Sequence, residues 1–223
     1  MSNNQSNSLA SSFSRGLKVS DLARWEWCNE EAFLRCHGVE RKVTVYDQAG
    51  TAVHKKVVRP LSQPWEKEFF DKLNKQRPFF REIQGVKIFG GVDAIEGEGL
   101  RQGIVRFIEC KTRGERSVPP FLVKPAIFQL QIYAWLFQPI ISQIGYQLAD
   151  VHYVDFVHRE SMEIINRYPC VIHYDAIGQQ VNGVITSLLR NENIHGAQET
   201  EPWKCKNCAV EFKERCRFWK DSV

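Results

Sequence analysis

The order of hydrophobic patterns along the chain predicts an α/β fold, a mixed central sheet flanked by helices in a three-layer arrangement. Three observations carry that prediction. Segments with apolar spacing near 3.6 open the chain, a block of alternating apolar segments fills its middle, and apolar helical patterns then interrupt and follow that block. Residues 1–15 are rich in Ser and Asn and bury too little apolar surface to order themselves, so they are expected as a flexible tail before a single domain over 16–223. Ser20 is expected to cap a helix running to about residue 37, a second helix is expected to carry His54, and a third covers about 62–75. Strands are expected at 79–84, 86–95 and 103–112, the last two joined as a hairpin by the turn-rich stretch 96–103. Pro125 is expected to open a helix to residue 137, followed by strands near 151–157 and 162–172 and a last helix over 175–190.

Composition narrows the function classes. The chain has 223 residues and is 43% hydrophobic, which is ample for one core. Its formal charge of +4 permits a nucleic-acid partner without requiring one. Local basic clusters at Arg41 and Lys42, at Lys55, Lys56 and Arg59, at Lys111, Arg113 and Arg116, and in the tail from Lys204 onward suit a phosphate backbone or a solvated face equally. Seven cysteines with no leading apolar signal point to a reducing, cytoplasmic setting rather than a secreted disulfide scaffold. No apolar run reaches membrane-spanning length, because the stretch 121–144 is broken by Lys124, Pro125 and Pro139. Neither a phosphate-binding loop with the Gly-Lys-Ser/Thr ending nor a Gly-x-Gly-x-x-Gly fingerprint is present.

The residues with chemical promise are Asp93, Glu109 and Lys111. Period-two alternation puts Glu109 and Lys111 on one face of a strand and turns Cys110 away, and the expected hairpin brings Asp93 toward them. Two carboxylates and an ammonium suit hydrolysis of a phosphodiester, with Mg²⁺ held by the acids and Lys111 orienting water or stabilising developing charge. A Glu-x-Lys pair by itself is more often a solvated face. Gln129 and Tyr133, four apart on one helical face, are placed to reach a phosphate or a base. A second cluster stands near the C-terminus, where Cys205, Cys208 and Cys216 form C-x2-C-x7-C among basic and aromatic residues. Four thiolates complete a zinc or iron-sulfur site, so a fourth is expected from elsewhere, Cys28 or Cys36.

In order along the chain, Gly50-Thr51-Ala52-Val53-His54, Gly91-Val92-Asp93, Glu109-Cys110-Lys111 and Gln129-Leu130-Gln131-Ile132-Tyr133 resemble the RecB-like branch of the PD-(D/E)XK nuclease superfamily. That resemblance implies a restriction-endonuclease-like core. It also implies a metal site of His54, Asp93, Glu109 and the Cys110 main-chain carbonyl, with Lys111 catalytic and Gln129 and Tyr133 helping to hold DNA. Glu82 is a weaker candidate. The segment ending at Cys28 resembles the family's opening helix, which implies that Cys28, Cys205, Cys208 and Cys216 bind a [4Fe-4S] cluster joining the N- and C-terminal segments, with zinc as the rival occupant. The x7 interval before Cys216 is longer than the family's usual one. The implied activity is Mg²⁺- or Mn²⁺-dependent exonuclease action on single-stranded DNA ends, from the 5′ end, in CRISPR spacer acquisition or in DNA repair and recombination. A CRISPR integrase complex or a repair helicase is the implied partner, and no membrane. The alternative is a non-catalytic nucleic-acid-binding or assembly subunit that keeps the fold.

Overall fold

The computed structural model describes residues 16–43, 48, 63–196 and 201–219. The expected tail over 1–15 and the expected helix around His54 lie outside the described residues. In chain order the elements are β1 (Leu17–Lys18), α1 (Val19–Leu22), a 3-10 turn (Ala23–Glu26), α2 (Asn29–Cys36), α3 (Pro64–Asn74), β2 (Phe80–Ile83), β3 (Val86–Phe89), β4 (Ala94–Ile95), α4 (Gly97–Leu100) and β5 (Ile104–Val105). They continue with β6 (Phe107–Arg113), α5 (Pro120–Gln143), β7 (Gln147–Leu148), β8 (Val151–His158), β9 (Ile164–Val171), α6 (Tyr174–Arg190), α7 (Pro202–Lys206) and α8 (Val210–Lys213).

The architecture is mixed α/β, and its main sheet has the order β4-β6-β8-β9. β6 and β8 run parallel, while β4 and β9 flank them antiparallel. Parallel neighbours need a crossover, and α5 supplies it between β6 and β8. α5 is apolar almost all round, burying Ala126, Phe128, Leu130, Ile132, Ala134, Trp135, Leu136, Phe137 and Ile141, as a helix enclosed on every side must. It packs on β6, β8 and β9 and on α6. A three-stranded sheet, β1-β3-β2, and a short parallel pair, β5-β7, complete the strands among the described residues.

Several expected boundaries move, each for a local reason. α5 begins at Pro120, not Pro125, because a proline whose φ is already helical fits the first helical position. Pro125 and Pro139 then lie inside the helix, tolerated because so much apolar surface is buried along it. The helix expected over 20–37 is broken at Trp27 and Cys28, where Cys28 is extended at φ −160° and ψ 119°. The strand expected over 86–95 divides at Gly90 and Gly91 into β3 and β4, which belong to different sheets. Likewise the strand expected over 103–112 divides at Arg106 into β5 and β6. β4 does pair antiparallel with β6, but the connection holds the helical turn α4 rather than a plain loop. Gly99 is required there, since a Cβ would stand 2.7 Å from the Ile104 carbonyl oxygen. Helices α7 and α8 follow α6, which was expected to be the last. Among the described residues, no helix is long and apolar enough to cross a membrane.

One buried polar contact pins the start of β6. His152, fully buried on β8, accepts the Phe107 backbone N–H at Nδ1, 2.9 Å away, and stacks on the Phe107 ring. Burial, followed by the charge of Arg106, pushes its pKa down to about 4. The contact requires an unprotonated Nδ1, so the unfolded chain binds a proton that the folded chain refuses. The stability so contributed is therefore present above about pH 6.5 and is lost as pH falls toward 4, on the order of 3 kcal/mol in full. Urea unfolding at pH 7 and at pH 4 should show that loss, and His152→Asn, which keeps an acceptor but cannot titrate, should flatten it. An equal pH dependence in the two proteins would contradict this account.

Candidate active site

Strand alternation places Glu109 and Lys111 together, as expected, and Lys111 Nζ lies 2.6 Å from Glu109 Oε1. Glu109 is 1% exposed, whereas Lys111 keeps 34% of its side chain accessible. The same ammonium donates to Gln129 Oε1 at 2.9 Å, and Gln129 Nε2 donates to the Tyr133 hydroxyl at 3.3 Å. Strand β6 and helix α5 are thus joined by one chain of hydrogen bonds. Gln129 and Tyr133 are themselves buried, which turns them toward Lys111 more than toward solvent. Burial first, and the Glu109 charge second, push the Tyr133 phenol well above its ordinary pKa, with the Gln129 hydrogen bond opposing them. The phenol is therefore neutral and keeps its proton to donate.

Asp93 reaches the same point by backbone register. Ala94 pairs with Ile108, which sets Asp93 beside Glu109 across the β4-β6 ladder. There Asp93 Oδ2 accepts the Cys110 backbone N–H at 2.9 Å, so the side chain continues the ladder where β4 leaves it. Two carboxylates consequently meet on the Glu109-Cys110 segment. Gly90 lets the chain that leads to Asp93 pass close to α5, because a Cβ there would stand 2.7 Å from the Tyr133 ring. His54 lies outside the described residues, and Glu82 is exposed on β2 of the three-stranded sheet, opposite Lys87. Cys110 buries its thiol, and burial pushes it up to about 12.

The cysteines group in the second place. Cys28, Cys205, Cys208 and Cys216 line one pocket with Trp27, Leu34, Phe212 and Trp219, and none is in a disulfide. Cys36 is buried in the core instead. Burial is the first cause that raises the Cys205, Cys208 and Cys216 thiols, Cys208 to about 12. Neighbouring thiols of the group raise each of them further, and Glu31 acts before them on Cys208. Such a set resists ionisation without a cation and fits, in donor chemistry, a thiophilic metal or an iron-sulfur cluster. As the side chains stand, no group of three or more His, Cys, Asp or Glu among the described residues could hold a metal ion. Among the described residues, the segments around Cys28 and Cys205 also meet here. Arg217 grips the buried Glu30 in a fork at 2.6 and 3.0 Å, Lys204 donates to the Trp27 carbonyl and pairs with Glu201, and Trp203 packs edge-on to Trp27.

Among the ion pairs of buried acids that the sequence did not reveal, one lies beside the site. Asp155, beside Cys110 on β8, is held by Arg167 through two 2.7 Å bonds. An acid inside the apolar run of β8 was its only visible signal.

This arrangement defines a mixed α/β protein whose main sheet presents an Asp-Glu-Lys group beside an apolar crossover helix. No family model matches the chain, and no curated protein matches it. Among solved structures it is similar to SSO0001, at 20% identity and a TM-score of 0.53 over 92% of this chain and 87% of that one, a likeness of fold. A protein of Eubacterium rectale provisionally named an exonuclease aligns at 12% identity and a TM-score of 0.47 over 94% of each chain.

Proposed function

We propose that the protein is a metal-dependent deoxyribonuclease of the RecB-like kind, acting on single-stranded DNA ends from the 5′ terminus. The observation that carries the reading is the meeting of Asp93, Glu109 and Lys111 on one short segment of β6, with Lys111 held between Glu109 and Gln129. The residues that would hold Mg²⁺ or Mn²⁺ are Asp93, Glu109, the Cys110 carbonyl and His54. An ion bound there supplies neutralising charge on the phosphate and a water of lowered pKa. Lys111 does the chain's own work. Its ammonium, fixed by two acceptors at 2.6 and 2.9 Å, aims the remaining N–H toward the attacking water or the developing phosphate charge. Tyr133 steadies Gln129, and Gln129 in turn holds Lys111 and lines the cavity beside it, where it can meet the DNA strand.

Cys28, Cys205, Cys208 and Cys216 would hold a [4Fe-4S] cluster that staples the N- and C-terminal segments; zinc is the competing occupant. The biological setting is CRISPR spacer acquisition beside an integrase complex, or DNA repair beside a helicase.

On end-labelled single strands with Mg²⁺ or Mn²⁺, Glu109→Gln and Lys111→Ala should each slow digestion by about 10²-fold or more while the fold is retained. Undiminished digestion by either would refute the site. Protein purified without oxygen should be brown and contain iron and sulfide in about equal amounts. Cys205→Ala should lose both and melt at lower temperature, because cluster binding and folding are linked. Colourless protein with stoichiometric zinc would overturn the cluster.

A further inference from the structure

Beside Lys111, away from Asp93, lies a cavity of about 320 Å³ whose wall carries four cations, Arg24, Arg35, Lys111 and Arg113, against one acid, Asp21. Ser20 and Gln129 add neutral polar groups. Their carboxylate partners, Glu31, Asp21, Glu115 and, for Lys111, Glu109, match them in number, but of these only Asp21 lines the cavity. Arg24 and Arg35 share a single buried carboxylate, Glu31, at 3.7 and 2.8 Å. Asp21 stands 3.6 Å from Arg35, and the partner of Arg113 is Glu115, which is 74% exposed and screened by water. Burial, and then the neighbouring charges of Arg35 and Arg41, hold Arg24 below its ordinary pKa against the pull of Glu31. Guanidinium groups crowded in this way gain from an anion that engages several of them through their forked donors.

The geometry points to this cavity as the seat of a phosphate monoester at the end of a nucleic-acid strand. The inference rests on the nuclease reading and specifies which part of the substrate the enzyme holds. A monoester carries about −1.5 to −2 charges and three strong acceptor oxygens, more than an internal diester offers. The cavity is at the small end of ligand pockets, roughly 300 to 1,000 Å³, which suits a terminal group rather than a passing strand. Lys111 and Gln129 belong to both the cavity wall and the reacting group. A terminal phosphate seated there would lie against the ammonium that also bonds Glu109, so cutting is expected next to the held end.

The test measures binding apart from cutting. The full-length protein is titrated, in Ca²⁺ without Mg²⁺, with fluorescent single strands ending in a 5′-phosphate, a 3′-phosphate or hydroxyls only, and the same strands are digested in Mg²⁺. One phosphorylated end should bind about tenfold tighter than the hydroxyl strand, and which end identifies the polarity. Arg113→Gln should reduce that preference to within about twofold while lowering affinity for the hydroxyl strand much less. Arg24→Gln should do the same, which keeps the test open if one variant folds poorly. Equal affinity of the parent for all three strands, or a variant that weakens all three alike, overturns the inference. End preference without any cutting in Mg²⁺ supports this site and sinks only the nuclease reading; cutting without end preference does the reverse.

Discussion

A carboxylate taken almost wholly out of water on strand β6 governs the structure. Removing an ion such as Glu109 from solvent costs several kcal/mol unless its surroundings compensate. That compensation comes from Lys111, two residues along the same strand, and Lys111 is in turn fixed by Gln129 on α5. The ladder from strand to crossover helix therefore holds a charged group in the interior and fixes the position of its partner. Asp93, bound to the Cys110 N–H, brings a second carboxylate to the same segment. Two acids beside one ammonium on one short segment are an uncommon packing solution, and that is the ground on which a cation site is proposed there.

The N-terminal segment serves two regions at once. Its buried acids, Glu30 and Glu31, are held by Arg217 from the C-terminal segment and by Arg24 and Arg35 from its own helices. The same stretch carries Cys28 to the thiol pocket and Arg24 and Arg35 to the cavity beside Lys111. Loss of order at the thiols would accordingly be felt at the basic cavity, because one short segment lines both. This links the C-terminal segment to the basic cavity through the segment that carries Arg24, Cys28 and Arg35.

Period and spacing made much of the site legible from sequence. Alternation along β6 predicted that Glu109 and Lys111 face together, and helical spacing predicted that Gln129 and Tyr133 do; both pairs are hydrogen-bonded. What sequence could not convey were contacts that depend on where strands stop. Gly90 and Gly91 end one sheet and begin another, and only that break lets Asp93 bond the backbone of β6. Pro125 read as a helix start because burial elsewhere along α5, invisible locally, outweighs its missing donor. Helices α7 and α8, of five and four residues, are too short to leave a periodic trace and exist because the C-terminal segment packs against α2 and its neighbours. Arg24 and Arg35 come from the 3-10 turn and from α2, brought to one cavity by the break at Trp27 and Cys28, which no local pattern in the sequence signals.

Binding of Mn²⁺ by the unreacted protein, followed by electron paramagnetic resonance as free Mn²⁺ is depleted, tests the central claim most directly. The account predicts a tight site in the parent protein that is lost in both Asp93→Asn and Glu109→Gln, with folding retained in each. Equal Mn²⁺ binding by the parent and both variants would contradict it.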